Sequence, residues 1–174
     1  MPRVALFDSS LRDGAQAEGI TFSVEDKIKI LQSLDALGID YVEAGNPTSN
    51  PKDLEFFQRV RGMKLQKARI VAFGSTCHKN CDPAEDMYVN SLLSAQTQAV
   101  AIFGKSWDFH VTDIIQTTLE ENLRMIRETI RYVKSRDREV IFDAEHFFDG
   151  YKANARYAME ALAAAAEGGA DCLV

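Results

Sequence analysis

The chain has 174 residues, enough for one domain with a sizeable core and short for two. Its 46% hydrophobic and 26% charged composition is that of an ordinary globular protein. The net charge of −6 argues against nucleic acid or an anionic membrane surface as partner, since both call for a basic face, but a few local Arg or Lys residues still suffice for a small anionic substrate.

The N-terminal run Met1–Asp8 is a short apolar stretch that stops at an acid, too short for a signal segment. No later apolar stretch approaches the roughly 20 residues of a membrane span. Candidate strands follow at Val4–Phe7, Tyr41–Ala44, Arg69–Phe73, Ala99–Phe103, Val140–Phe142 and Asp171–Val174. Most are unbroken apolar runs, as strands buried on both faces are. Between them, Ser23 with Asp26, Asn50 before Pro51, Asp82 before Pro83, and Thr118 with Glu121 each place a cap ahead of a helical run. Ile28, Leu31, Leu34 and Leu37 predict one buried stripe, and Leu119, Leu123, Ile126, Ile130 and Val133 a second. Gly38 and the Gly168–Gly169 pair predict helix ends. The odd number of cysteines, three, fits reduced thiols and a cytoplasmic protein.

Strand and helix alternating this often predict an α/β fold with a parallel sheet. From the pattern alone, both an open doubly wound sheet and a closed barrel fit, although the first strand-to-helix loop lacks a Gly-x-Gly-x-x-Gly fingerprint. The chain stops at Val174 within the sixth candidate strand, whereas a complete eight-fold barrel takes about 250 residues. The expectation is therefore a fragment of about five βα units plus the start of a sixth strand, with open apolar edges.

Chemistry in such folds sits at the carboxyl ends of strands. The residues expected there are polar: Asp8, Ser9, Ser10, Arg12, Asp13 and Gln16 after the first strand, and Glu43 closing the second. Ser75 and Thr76 follow the third, Lys105 and Ser106 the fourth, and Asp143, Glu145 and His146 the fifth. Asp13 or Asp8 can ligate a divalent metal, Arg12 can hold a carboxylate or oxyanion, and Glu145 can act as general base. Plainer roles stand beside these. Asp8 can brace its loop, Glu43 can simply pair with Arg12, and His110 and His146 can be satisfied structural histidines. Cys77 and Cys81 read as free thiols of a helix-leading loop, because no second pair stands at zinc-finger spacing. Trp107, Phe109, Phe147, Phe148 and Tyr151 are expected to line the rim or to pack.

The run Asp8-Ser9-Ser10-Leu11-Arg12-Asp13-Gly14-Ala15-Gln16 resembles the Asp-x-x-Leu-Arg-Asp-Gly-x-Gln motif of the 2-isopropylmalate synthase, homocitrate synthase and HMG-CoA lyase-like (DRE-TIM metallolyase) superfamily. Ser49–Asp53, Phe73–Thr76, Gly104–Asp108 and above all Asp143–Lys152 are similar to its citramalate synthase branch. The resemblance covers essentially the whole chain. It implies that residues 1–174 are the N-terminal portion of one TIM-barrel catalytic domain of the HMGL-like type. It implies Asp13 as metal ligand, Arg12 and Glu145 as catalytic residues, and Arg12, Gln16 and Asp143 as substrate-binding residues.

The implied cofactor is a divalent metal (Mg, Mn or Zn) with acetyl-CoA as co-substrate. The implied reaction is a metal-assisted Claisen condensation with pyruvate giving (R)-citramalate for isoleucine biosynthesis, in a cytoplasmic homodimer that binds neither nucleic acid nor membrane. The alternatives are a 2-isopropylmalate synthase-like activity on 2-oxoisovalerate and a non-catalytic half-barrel that associates through its open edge. The family's remaining metal ligands, a His-x-His pair on a later strand, are not in these 174 residues, which implies weak metal binding and no turnover by this stretch alone. Ser9-Ser10 replaces the commoner Thr-Thr, and Asn46-Pro47 replaces a bulkier residue near the rim, where it bears on the choice of keto acid.

Overall fold

Short polar side chains ahead of apolar runs start the helices. In the computed structural model, which describes residues 4–174, Ser23 forms a reciprocal capping box with Asp26 at the head of α1 (Val24–Leu37). Asn50 caps α2 (Pro51–Val60) by accepting from Lys52 N–H, and Thr118 caps α4 (Leu119–Lys134) by accepting from Glu121 N–H. Gly38 and Gly169 end α1 and α6 (Ala155–Gly168) in the left-handed conformation. The remaining helices are α3 (Met87–Ser94) and α5 (Phe147–Ala153). Met1, Pro2 and Arg3, where the reading of the N-terminal run began, lie outside the described residues.

The strands are β1 (Phe7–Asp8), β2 (Tyr41–Glu43), β3 (Arg69–Ser75), β4 (Ala99–Lys105), β5 (Glu139–Glu145) and β6 (Cys172–Leu173). They form one sheet in chain order, β1-β2-β3-β4-β5-β6, with parallel pairing of β1 to β2, β2 to β3 and β5 to β6. Parallel strands taken in sequential order, with a helix after each of the first five, are the topology of a (β/α) barrel.

The chain divides into two compact units. The first holds the described residues through Phe73 together with Ser91–Val100, and the second holds Gly74–Asn90 and Ala101–Val174. The first is built on fully buried Leu31, Val42, Phe56 and Phe57, and the second on Ile102, Ile126, Ile130 and Phe142. In the second, α4 and α6 approach closely where Gly168 faces the Arg127 carbonyl and Ile130, a place where a Cβ would lie within 3 Å of both. The short side chains of Ala158, Ala161, Ala164 and Ala165 are buried along the same helix.

Several expectations need correcting. The first strand is Phe7–Asp8 rather than Val4–Phe7: Leu6 donates its N–H to the Asp40 carboxylate and accepts from the N–H groups of Asp40 and Tyr41, so the ladder starts one residue later. Asp82 heads a turn rather than a helix, accepting from Ala84 N–H. The cap of α3 is Asp86, whose carboxylate accepts from the N–H groups of Tyr88 and Val89. The buried face of α1 is Val24, Lys27, Leu31 and Asp35, and Leu37 is largely exposed. On α4, Ile126, Ile130 and Val133 are buried as expected, but Leu119 and Leu123 are half-buried while Asn122 and Thr129 are buried. Finally, β3, β4 and β5 run two or three residues past their apolar runs, so Ser75, Lys105, Asp143 and Glu145 belong to the strands rather than following them.

Candidate active site

The end of β1 turns sharply, and three successive N–H groups, those of Arg12, Asp13 and Gly14, converge on the Ser9 carbonyl. Asp8 braces this turn by accepting from the Ser10 N–H and hydroxyl at 3.0 and 3.1 Å, and buried Leu11 anchors it. The bracing role open to Asp8 is thus present. The turn holds out Arg12, whose Nε donates to the buried Glu43 carboxylate at 2.7 Å. Its Nη1 donates to Asp13 at 3.2 Å, and the guanidinium lies 4.1 Å above the centre of the Phe73 ring. An ion pair on one edge and an aromatic face beneath fix the plane of the fork. Glu43, expected as a possible partner of Arg12, is one. Asp13 is about two-thirds exposed, and Gln16 stands exposed on the 3-10 turn Gly14–Gln16.

The loop after β2 rests on a buried cation. Lys27, from α1, donates to the Ala44 carbonyl at 2.6 Å and to the Asp53 carboxylate. Asp53 also accepts from Asn46 N–H at 3.0 Å. Gly45, at a φ of +133°, leaves room for that carboxylate, which occupies the space a Cβ would fill. Asn46 turns its side chain back to accept from Thr48 N–H at 2.8 Å, so this departure from the family pattern serves as a turn former.

In the second unit, the chemistry lies on alternate residues at the strand ends. Phe103 and Lys105 of β4, and Asp143 and Glu145 of β5, are half-buried, while Gly104 and Ala144 between them are buried. Lys105 and Glu145, the last residues of their strands, form an ion pair. Three hydrogen bonds mount it. Ser106 donates to the Glu145 carbonyl at 2.8 Å, and Asn122 donates to the Lys105 carbonyl at 2.8 Å and to the Tyr157 hydroxyl at 2.7 Å. Asn122 and Tyr157 are buried, and burial pushes the Tyr157 phenol up to about 12. Close behind, Gly150 packs against the backbone of Ser106 and Trp107 with no room for a side chain.

Glu145 is followed by His146, which caps α5 in the left-handed conformation at a φ of +55°. Its ring meets that of His110 edge-on at 4.8 Å, and Trp107 lies at the same distance from His110. His110 begins a π-helical turn, His110–Ile114. Burial, then the charges of His146 and Lys105, hold its imidazole below the usual value. Its Nδ1 is buried with no hydrogen-bond partner among the described residues. Phe147 and Phe148 border a cavity of about 410 Å³ together with Asp143, Phe148 being largely exposed, and Phe109 and Tyr151 are about half exposed. Trp107 is half-buried among aromatic and histidine rings.

Cys77 is buried and Cys81 half-buried, and burial raises both thiols, disfavouring the thiolate a metal would need. The loop is organised instead by Asp86, which accepts from His78 N–H and lies 2.8 Å from His78 Nδ1. Lys105 and His78 both line a cavity of about 430 Å³ walled by Phe103, Ile114, Ile115 and Met125.

Parallel strands in sequential order, with a fixed arginine at the end of one and a mounted Lys–Glu pair at the ends of two others, define a (β/α)-barrel protein of the kind that builds its chemistry at strand ends. The chain belongs to the HMGL-like family, whose model matches residues 3–174. It is 56% identical to the (R)-citramalate synthase of Aquifex aeolicus over 99% of this chain and 33% of that protein. It is 50% identical to the (R)-citramalate synthase of Sulfolobus acidocaldarius over 98% of this chain and 33% of that protein. The chain thus spans about a third of the length of the curated relatives it matches, and the resemblance to the citramalate synthase branch is borne out. Among solved structures, the hydroxymethylglutaryl-CoA lyase from Pseudomonas aeruginosa superposes with a TM-score of 0.74 at 18% identity, covering 98% of this chain and 56% of that one. That likeness establishes the barrel fold. No helix among the described residues is long and apolar enough to cross a membrane.

Sequence reasoning placed Arg12, Asp13, Asp143 and Glu145 at strand ends but missed two partners. Phe73 beneath Arg12 and Lys105 against Glu145 depend on which strands are neighbours. The one signal available was the period of two in Phe103-Gly104-Lys105 and Asp143-Ala144-Glu145.

Proposed function

We propose that this chain carries the first part of the active site of an acyltransferase that condenses acetyl-CoA with pyruvate to give (R)-citramalate. The observation that carries the reading is the Arg12 clamp. A Leu-Arg-Asp-Gly turn whose arginine is pinned by Glu43 and Phe73 stands at the head of a chain 56% identical to an (R)-citramalate synthase. An arginine so held presents a pre-set fork to a carboxylate, or to the oxygen that gains charge as a keto carbon is attacked. Among the described residues, two of its five N–H donors are used, at Glu43 and Asp13.

In this reading, Glu145 removes a proton from the acetyl methyl group and the resulting carbanion attacks the keto carbon of pyruvate. Arg12 holds the oxygen that becomes an alkoxide. Gln16 and Asp143 contact the 2-oxo acid, and hydrolysis of the citramalyl thioester completes the reaction. Product of this kind feeds isoleucine biosynthesis. A divalent metal (Mg, Mn or Zn) is the implied cofactor. Among the described residues, no three His, Cys, Asp or Glu side chains stand together as ligands, so these residues do not by themselves fit a closed metal site. Asp13, exposed and paired with Arg12, is the one oxygen donor we assign to the metal. Residues 1–174 are taken as the N-terminal portion of a single HMGL-like barrel domain, in a protein that works in the cytoplasm as a homodimer. The relatives of threefold length support the placement within a longer protein, and the three free cysteines suit the cytoplasm.

The test is thiol release from acetyl-CoA by the intact protein with a panel of 2-oxo acids. Release should be greatest with pyruvate. Preference for 2-oxoisovalerate would move the protein to the 2-isopropylmalate synthase branch, and no release with any acid would reject the reading.

A further inference from the structure

We propose that Lys105 is a catalytic residue of the condensation: its ammonium is the counter-ion that passes from Glu145 to the thioester oxygen when the acetyl methyl group loses its proton. The inference rests on the proposed condensation and adds a residue to it. Lys105 and Glu145 end neighbouring strands as a half-buried ion pair, with side chains 17% and 33% exposed. Both backbones are fixed, Lys105 through its carbonyl by Asn122 and Glu145 through its carbonyl by Ser106. Two buried polar side chains in series, Asn122 and Tyr157, are thus committed to one lysine carbonyl. A surface ion pair contributes little to stability and needs no such mount. Lys105 also lines the cavity of about 430 Å³, whose walls are mainly apolar.

The charge balance gives the pair its use. Before reaction, the carboxylate of Glu145 carries the negative charge and Lys105 neutralises it. When the C–H bond of the acetyl methyl group breaks, the proton goes to a Glu145 oxygen. The electron pair forms the C=C bond, and the carbonyl π electrons move onto the thioester oxygen. The negative charge has left Glu145 for the substrate, and Lys105 no longer has a charged partner on the protein. Its flexible four-carbon stem lets the ammonium follow the charge, and in a site shielded from water that interaction is much stronger than in bulk solvent. When the enolate carbon bonds to the keto carbon, the thioester carbonyl re-forms and its oxygen becomes neutral. The keto π electrons of pyruvate move onto its oxygen, and transfer of the Glu145 proton to that alkoxide restores the pair.

The experiment measures citramalate formation by the intact protein and its Lys105→Ala and Lys105→Arg variants, each checked for native circular dichroism, with and without propylammonium. Loss of a single preorganised donor to a developing oxyanion lowers kcat by about 100-fold or more, and Lys105→Ala should fall in that range with little change in KM for pyruvate. Propylammonium should restore part of the loss in proportion to its concentration, and Lys105→Arg should retain more activity than Lys105→Ala. A purely structural lysine would not respond to a free cation. Wild-type turnover in Lys105→Ala, or a loss that neither propylammonium nor arginine relieves, overturns the assignment of Lys105 alone. A wild-type protein that performs no condensation overturns the reading on which it rests, and this assignment with it.

Discussion

Replacing Lys27 by Met tests how the loop after β2 is held. The Lys27 side chain is 6% exposed and that of Asp53 13%, and both lie between α1, α2 and the end of β2. Methionine fills nearly the same volume, so packing changes little and the effect is electrostatic. Without the cation, Asp53 keeps the Asn46 N–H as a donor, and the Ala44 carbonyl loses the lysine. Breaking a buried ion pair from one side leaves an uncompensated charge and costs about 3–5 kcal/mol. For a chain of this size, that lowers the midpoint of thermal unfolding by roughly 6 to 20 °C. Circular dichroism melts of wild type, Lys27→Met, Asp53→Ala and the double variant would measure it. The double variant should be far less destabilised than the sum of the singles, with a coupling on the order of 2 kcal/mol. Additive single effects, or a Lys27→Met variant within about 1 kcal/mol of wild type, would refute the claim that this pair holds the loop.

Two further substitutions probe the scaffold. The Asp35 carboxylate is buried, which raises it, but three N–H groups, those of Ala68, Gln66 and Lys67 at 2.8 Å, outweigh burial and hold it below the usual carboxylate range. A depressed native value means the stabilisation is present above the unfolded value of about 3.9 and is lost as pH falls through the native one. Urea midpoints should therefore show Asp35→Asn well below wild type at neutral pH and the gap narrowing under acid conditions; a gap that widens in acid would contradict this. Gly104→Ala would place a methyl 2.7 and 3.0 Å from Phe142 ring carbons and 3.1 Å from Ile126 Cγ1. Overpacking of this kind costs about 1–3 kcal/mol, and a neutral urea midpoint would show that the ring can move aside.

What could be read from the sequence, and what could not, follows from the range of each interaction. The caps at Ser23, Asn50 and Thr118 were legible because donor and acceptor lie within three residues of one another. The α3 cap was misplaced because Asp82 and Asp86 are both Asp residues ahead of the same helical run, and only His78, which bonds Asp86, distinguishes them. The face of α1 was misjudged because Lys27 and Asp35 are polar. They are buried only through partners 17 to 33 positions away, and a hydrophobic periodicity counts neither. At the site, the run Leu11-Arg12-Asp13-Gly14 and its partner Glu43 were legible, while Phe73 beneath Arg12 and Lys105 against Glu145 came from other strands. Strand ends were read short for a related reason. Phe103-Gly104-Lys105 and Asp143-Ala144-Glu145 switch from an unbroken apolar run to alternation as the strand leaves the doubly buried part of the sheet.

The most direct test of the proposed chemistry is mass-resolved product analysis of the intact protein supplied with carbon-13 pyruvate and unlabelled acetyl-CoA, beside its Glu145→Gln and Arg12→Gln variants. Labelled citramalate from the wild type, with both variants reduced by about 100-fold or more, is the predicted result. Labelled citramalate formed equally well by either variant, or none formed by the wild type, would contradict the roles given to these two strand ends.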